Sequence, residues 1–384
     1  MGIFGFQALI AQQQRTCATM EYMKSKQGTA TGFQNNFDRT EEKIHTPSST
    51  KQRSNSSIYT IPTVIHIVYK NDLQNISDSQ ILSQLQVLNE DFRRSNIDAI
   101  HTASEFLPIA ADTEIEFCLA SIDPLGLPTT GITRTLTTTA FGVNDKIKYT
   151  AMGGKDIWDA TNYLNIWVGE IEDGILGYAQ FPGAHPLTDG VVIDYRYFGT
   201  IGTATAPFNL GRTTTHEVGH WLNLFHIWGD GNCNLDDGVA DTPLAGQPNY
   251  TNPPCTALGP NSCIAATNDL PDMFQNYMDY SADACMNLFT LGQKARMRAM
   301  LDPGGPRASV HLSTTCTKKE AQAESGDESK EESIGNPQAI PPPQTIPTMS
   351  EWALLIFALL ILNMGLISIH RLEKIKGGRH LCKK

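Results

Sequence analysis

The run His216-Glu-Val-Gly-His220-Trp-Leu-Asn-Leu-Phe-His226 constrains this chain more than any other stretch of its 384 residues. His216 and His220 stand one helical turn apart, on a single face of a helix. Glu217, beside the first of them, reaches a water held at the same point. His226 lies six residues past His220, where one helical face no longer continues cleanly. The backbone therefore has to turn between them, near position 223. Asn223 suits that turn, because asparagine ranks next after glycine in tolerating positive φ. The helix is expected to end there and to be capped at its start by Thr213, Thr214 or Thr215. Thr214 and Glu217 also fit a capping box, but that would occupy the carboxylate, so another threonine is the better cap. Three imidazoles and a carboxylate in this register predict a metal centre with an acid–base group beside it. The plainer alternatives are an amphipathic helix whose buried stripe is Val218, Leu222 and Phe225, and a zinc site that has lost catalysis.

A second motif follows downstream, Asn276-Tyr-Met278-Asp-Tyr280-Ser, and then an expected helix over 291–301 with Ala295, Met297 and Met300 partly inside. The first run resembles the metzincin zinc-protease signature HExxHxxGxxH. Its neighbours sharpen this to the pappalysin-like branch, the M43 or cytophagalysin family, whose version reads HEVGHxxGLxH. Asn223 stands where that version has glycine. The resemblance covers roughly residues 58–302. It implies a zinc endopeptidase acting on proteins or peptides. His216, His220 and His226 would then hold Zn²⁺, and Glu217 would be the general base. Met278 would lie beneath the histidines, and Tyr280 would donate to the developing oxyanion. The competing possibilities are an inactive zinc-containing surface module for binding or adhesion, and a hydrolase of non-peptide amides.

The implied fold is a mixed α/β zincin: a twisted sheet with a backing helix, an active-site helix, and a C-terminal subdomain carrying the Met-turn. The sequence pattern agrees with it. Residues 59–71 are β-branched and read as a buried strand, with His66 a satisfied core histidine. Residues 79–94 space Ile81, Leu85, Leu88 and Phe92 as an amphipathic helix. Strands are expected at 114–120, 163–171, 177–182 and 189–197. In the first of these Cys118 faces away from Ile115, Phe117 and Leu119, toward a partner such as Cys316. Metzincins bind extended substrates by strand addition, and 175–181 is the candidate edge.

Eight cysteines without CxxC spacing read as disulfides formed in an oxidising compartment. Four lie between the histidine run and the segment after Met278, and they allow three connectivities. The resemblance favours Cys233–Cys263 and Cys255–Cys285. The same loop carries Asp236, Asp237, Asp241 and Thr242, an oxygen-rich stretch similar to one near which the family binds structural Ca²⁺. The alternative is an acidic, solvated turn. A net charge of −11 with no basic cluster in the central region argues against a nucleic-acid partner.

The ends carry export signals. Residues 1–11 read as the end of a secretory signal, or else an apolar tail. Residues 12–57 are polar and aperiodic and read as a prosegment, removed around Lys51–Ser57. Cys17 within it is a candidate fourth zinc ligand that keeps the site latent. The alternative is an unpaired or disulfide-bonded cysteine. The catalytic domain then spans 58–312. Residues 313–345 form a charged, proline-ended linker. Residues 346–384 resemble an IPTL-type C-terminal sorting signal of Gram-negative bacteria: a short motif, an apolar helix at 353–369, and then Arg371, Lys374, Lys376 and Arg379. Such signals are read by a membrane-embedded processing enzyme, and the alternative is a plain membrane anchor. Both place the catalytic domain outside the cytoplasm, secreted or at the cell surface.

Overall fold

β1 (Tyr59–Tyr69) is the spine of the sheet, and eight of its eleven residues are buried. Ile, Val and Thr dominate it, and such stiff, branched side chains favour a pleated strand covered on both faces. The computed structural model describes residues 14–27, 41, 58–255, 259–264 and 269–316. The signal segment, the processing stretch 51–57, nearly all of the linker and the apolar tail lie outside them. All described residues belong to the first of the chain's two compact units, Met1–Lys319. Among the described residues no helix is long and apolar enough to cross a membrane.

Along one side of β1 run two parallel strands, β2 (Ile115–Leu119) beside its first half and β3 (Ile132–Leu136) beside its second. On the other side lie β4 (Leu164–Gly169), β6 (Val191–Asp194) and β5 (Gly177–Ala179), in that order. All pairings are parallel except β5 with β6, so an antiparallel strand forms that edge. β3 has no counterpart in the sequence reading. Its Ile-Thr-Arg-Thr-Leu is half exposed, and only the free second half of β1 makes it a strand. The last strand is shorter than expected, since Asp194 caps a turn by accepting from the Arg196 amide at 2.9 Å.

Strict alternation splits the sheet into two faces. Ile166, Val168, Ala179, Val191 and Ile193 join one core with Val218, Trp221, Met278 and Met297. Trp167, Tyr178 and Val192 join another with Phe141, Ile147, Ala18 and Tyr22. Tyr22 belongs to α1 (Thr19–Gln27), so the N-terminal segment completes that second core. Against the first face lie α2 (Asp78–Phe92), capped by Ser77, and α3 (Arg212–Trp221). α4 (Leu291–Leu301) opens with a Thr290/Gln293 capping box. Ala295, expected partly inside, is exposed; Gln293 and Arg296 face inward instead, drawn by polar partners. His66 is fully buried between Thr133 and Asn165, 2.8 and 3.0 Å from its ring nitrogens.

Three disulfides join described residues: Cys118–Cys316, Cys233–Cys263 and Cys255–Cys285. The last two pin the long connection between the histidine run and Met278.

Candidate active site

α3 begins before any of the three threonines expected to cap it. Its N-cap is Gly211 at φ 77°, so Thr213, Thr214 and Thr215 lie inside the first turn. The free amides there are met from far away in sequence, by Asp283, whose Oδ2 accepts from Leu210 N at 2.8 Å and Arg212 N at 3.2 Å. A carboxylate at this end also meets the positive pole of the helix. Glu217 is thereby left out of any capping box.

The other end of α3 closes as a Schellman motif. Leu224 N donates to Gly219 O and Asn223 N to His220 O, each at 2.9 Å, with Asn223 at φ 75°. That bend returns the chain to the helix. His220 Nε2 lies 3.1 Å from His216 Nε2 and 3.1 Å from His226 Nε2. Every Nδ1 is already committed: His216 to Tyr277 O at 2.7 Å, His220 to Leu224 O at 2.7 Å, His226 to Asp230 Oδ1 at 2.5 Å. Nδ1–H donation leaves three Nε2 lone pairs aimed at one another. Burial, then the neighbouring imidazoles, hold His216 and His220 well below the ordinary histidine range, so both are neutral donors. Lone pairs this close repel unless a cation sits between them, and neutral imidazoles suit zinc.

Cys17 completes the cluster: its sulfur and the three imidazoles offer donor atoms all within 4.8 Å of one another. It is buried and forms no disulfide. Burial, and then the nearby Glu217, push its thiol up. Glu217 is buried too. Its Oε2 accepts from Thr19 Oγ1 at 2.8 Å and lies 3.5 Å from Cys17 Sγ. Desolvation raises its carboxyl to about 7, against the opposing pull of Thr19, Cys17 and Arg15.

Met278 sits below the cluster with its sulfur against Gly219; a Cβ there would lie 2.5 Å from Sδ. Tyr280 packs edge-on to His226 and donates its hydroxyl to Cys17 O at 3.3 Å. The edge strand β5 is already covered. Ala18 N donates to Gly177 O at 3.1 Å and Leu176 N to Thr16 O at 2.9 Å, a parallel bridge centred on Cys17 and Gly177.

The four candidate calcium residues do not converge. Asp241 accepts from Thr290 Oγ1 and Gly292 N, at the start of α4. Thr242 donates to Asp237 Oδ1 at 2.8 Å, and Asp236 Oδ1 accepts from Gly238 N at 2.6 Å. Asp237 Oδ2 is buried with no hydrogen-bond partner.

Sequence reading missed four residues here. Asp230 had a local signal, a carboxylate one turn past His226. Thr19, Arg15 and Asp283 had none. Arg15 is buried and reaches Asp283 Oδ1 at 2.5 Å, a contact across 268 residues.

Comparison with known proteins agrees with this geometry. The peptidase M43 family model, described as pregnancy-associated plasma protein-A, matches residues 149–302. An extracellular metalloprotease of Arthroderma gypseum is 30% identical over 298 residues, covering 75% of this chain and 84% of that protein. Among solved structures, a promirolysin mutant from Tannerella forsythia is 45% identical with a TM-score of 0.68, covering 78% of this chain and 97% of the other. Mature mirolysin in complex with a cleaved peptide is 49% identical with a TM-score of 0.62, covering 67% and 97%. This chain belongs to the M43 family and is a zinc metalloprotease.

Proposed function

We propose that this protein is a secreted endopeptidase, made in a latent form, in which His216, His220 and His226 hold the zinc and Glu217 moves the proton. The observation that carries this is the convergence of three Nε2 atoms beside a buried carboxylate, with the Tyr280 hydroxyl aimed at a peptide carbonyl. Zinc bound there would supply Lewis acidity toward the scissile carbonyl and make water a better nucleophile near neutral pH. Glu217 accepts the proton of the attacking water and delivers it to the leaving amine nitrogen. Tyr280 donates to the oxyanion; the carbonyl of Cys17 now stands where a substrate carbonyl would be. Met278 and Gly219 keep the helix seated.

Residues 12–57 would be the prosegment. Three contacts support this: the Cys17 sulfur lies within 4.8 Å of the three imidazole donors, Thr19 donates to Glu217, and residues 16–18 fill the edge that an extended substrate would pair with. Extracellular relatives support secretion. We assign the C-terminal tail to sorting and membrane processing. For structural calcium we propose Asp236, Asp237 and Thr242 of the acidic loop, since Asp241 is taken up by Thr290 Oγ1 and Gly292 N.

Glu217→Ala decides the mechanism. The activated variant should lose cleavage of casein or gelatin while zinc stays bound at one equivalent by atomic absorption. Retained activity would sink the role given to Glu217, and cleavage that survives a chelator would sink the metal.

A further inference from the structure

One residue of the N-terminal segment lies against the far side of the histidine run. Glu41 Oε1 accepts from Asn223 Nδ2 at 2.9 Å and from Arg296 Nη2 at 2.6 Å. The host groups are catalytic-domain residues and are deeply buried: Asn223 is 0% exposed and the Arg296 side chain 2%. Arg296 is fixed in place by donating Nε to Asn223 O at 2.6 Å and by lying over the Phe225 ring. Its Nη1 has no hydrogen-bond partner among the described residues. This is a built cradle for a carboxylate, with two donors on one oxygen and an aromatic floor.

Asn223 matters twice here. Its backbone makes the αL bend that glycine would also make. Its side chain supplies a donor that glycine lacks, pointed at the same oxygen as the guanidinium. When Glu41 leaves, the guanidinium and the amide lose their shared acceptor, and both then favour another carboxylate. The cradle is also within reach of the cleft. Phe181, two residues past β5, packs on His220 at 5.6 Å and stacks on Phe225 at 5.0 Å. Phe181 thus links the end of β5 to the Phe225 ring over which Arg296 lies.

We propose that Asn223 and Arg296 form a carboxylate-binding subsite of the mature protease, filled by Glu41 in the latent chain and by an acidic side chain of the substrate afterwards. This rests on the reading of residues 12–57 as a removed prosegment.

The test uses enzyme activated from the full chain, with its new N-terminus sequenced. Paired peptides carrying Glu or Gln are scanned through each position on both sides of the cleaved bond. At one position the wild type should prefer Glu about tenfold in kcat/KM, and Asn223→Gly should bring that ratio close to one. Glycine suits φ 75°, so this variant keeps the bend, and a ratio within one enzyme is independent of its overall rate. A second arm needs no variant. A peptide spanning residues 36–46 should inhibit the activated wild type more strongly than the same peptide carrying Glu41→Gln. Active enzyme that lacks residue 41 but shows no Glu preference and no discrimination between the inhibitors overturns the subsite alone. Active enzyme that retains residue 41 overturns the prosegment reading, and the subsite with it.

Discussion

At the scale of single residues, the hydrogen bonds on Nδ1 decide what the three histidines are. Asp230 is the charged member of that set, 2.5 Å from His226 Nδ1, while the other two histidines lean on backbone carbonyls. A carboxylate orients the ring and raises the basicity of the opposite nitrogen. Asp230→Ala should therefore weaken zinc binding between about ten- and a hundredfold, measured by competition with a chromophoric chelator. Unchanged affinity would mean that Trp228, stacked on His226 at 4.3 Å, orients the ring by itself. His66 offers a contrasting case, a histidine with no part in the cluster. Burial lowers it to about 4, so the folded state keeps it neutral where the unfolded chain, near 6.5, takes a proton. The unfolded state binds more protons between those values, so stability falls as pH drops from 6.5 toward 4, by about 3 kcal/mol in all. In denaturant melts at pH 7 and pH 4.5, His66→Gln should show a smaller loss between the two than the wild type. An equal loss would assign the slope to other groups.

At the scale of elements, α3 and the Met278 turn form one unit. Gly219 faces Met278 Sδ so closely that any side chain there must displace the sulfur. Gly219→Ala gains helix propensity of about 1 kcal/mol, but overpacking costs about 1–3 kcal/mol, so the net effect should be destabilising. A lower thermal midpoint of the full chain checks this; an unchanged or higher one would show that Met278 moves aside freely. The elements also show what local pattern carries. The i, i+4 histidines and the αL-tolerant Asn223 are legible because a helix and its Schellman end are local objects. The start of α3 was not legible, because the carboxylate that meets its first amide is Asp283, 72 residues past the Gly211 cap, and no threonine nearby signals that. β3 went unread for the same kind of reason: its residues alternate weakly, and only β1 makes them a strand.

At the scale of the whole molecule, the N-terminal segment behaves as a part of the catalytic fold. It adds a parallel bridge at the β5 edge, Tyr22 to a core, and Arg15 to the carboxylate that meets the start of α3. Cys17→Ala in the full chain should raise hydrolysis of a quenched peptide before any cleavage of the chain. Activity equal to that of the wild-type chain would remove Cys17 from the proposed latency.

The donor types, their register, the bend at Asn223 and the sheet-and-helix alternation are legible in the amino-acid order alone, since each depends on residues a few positions apart. It takes the folded chain to bring Cys17 to the three imidazoles, Thr19 to Glu217, Arg15 to Asp283 and Glu41 to Arg296. Those contacts join positions hundreds of residues apart. No local propensity encodes them; they follow from burying one polar segment across a cleft in which every charged group needs a partner.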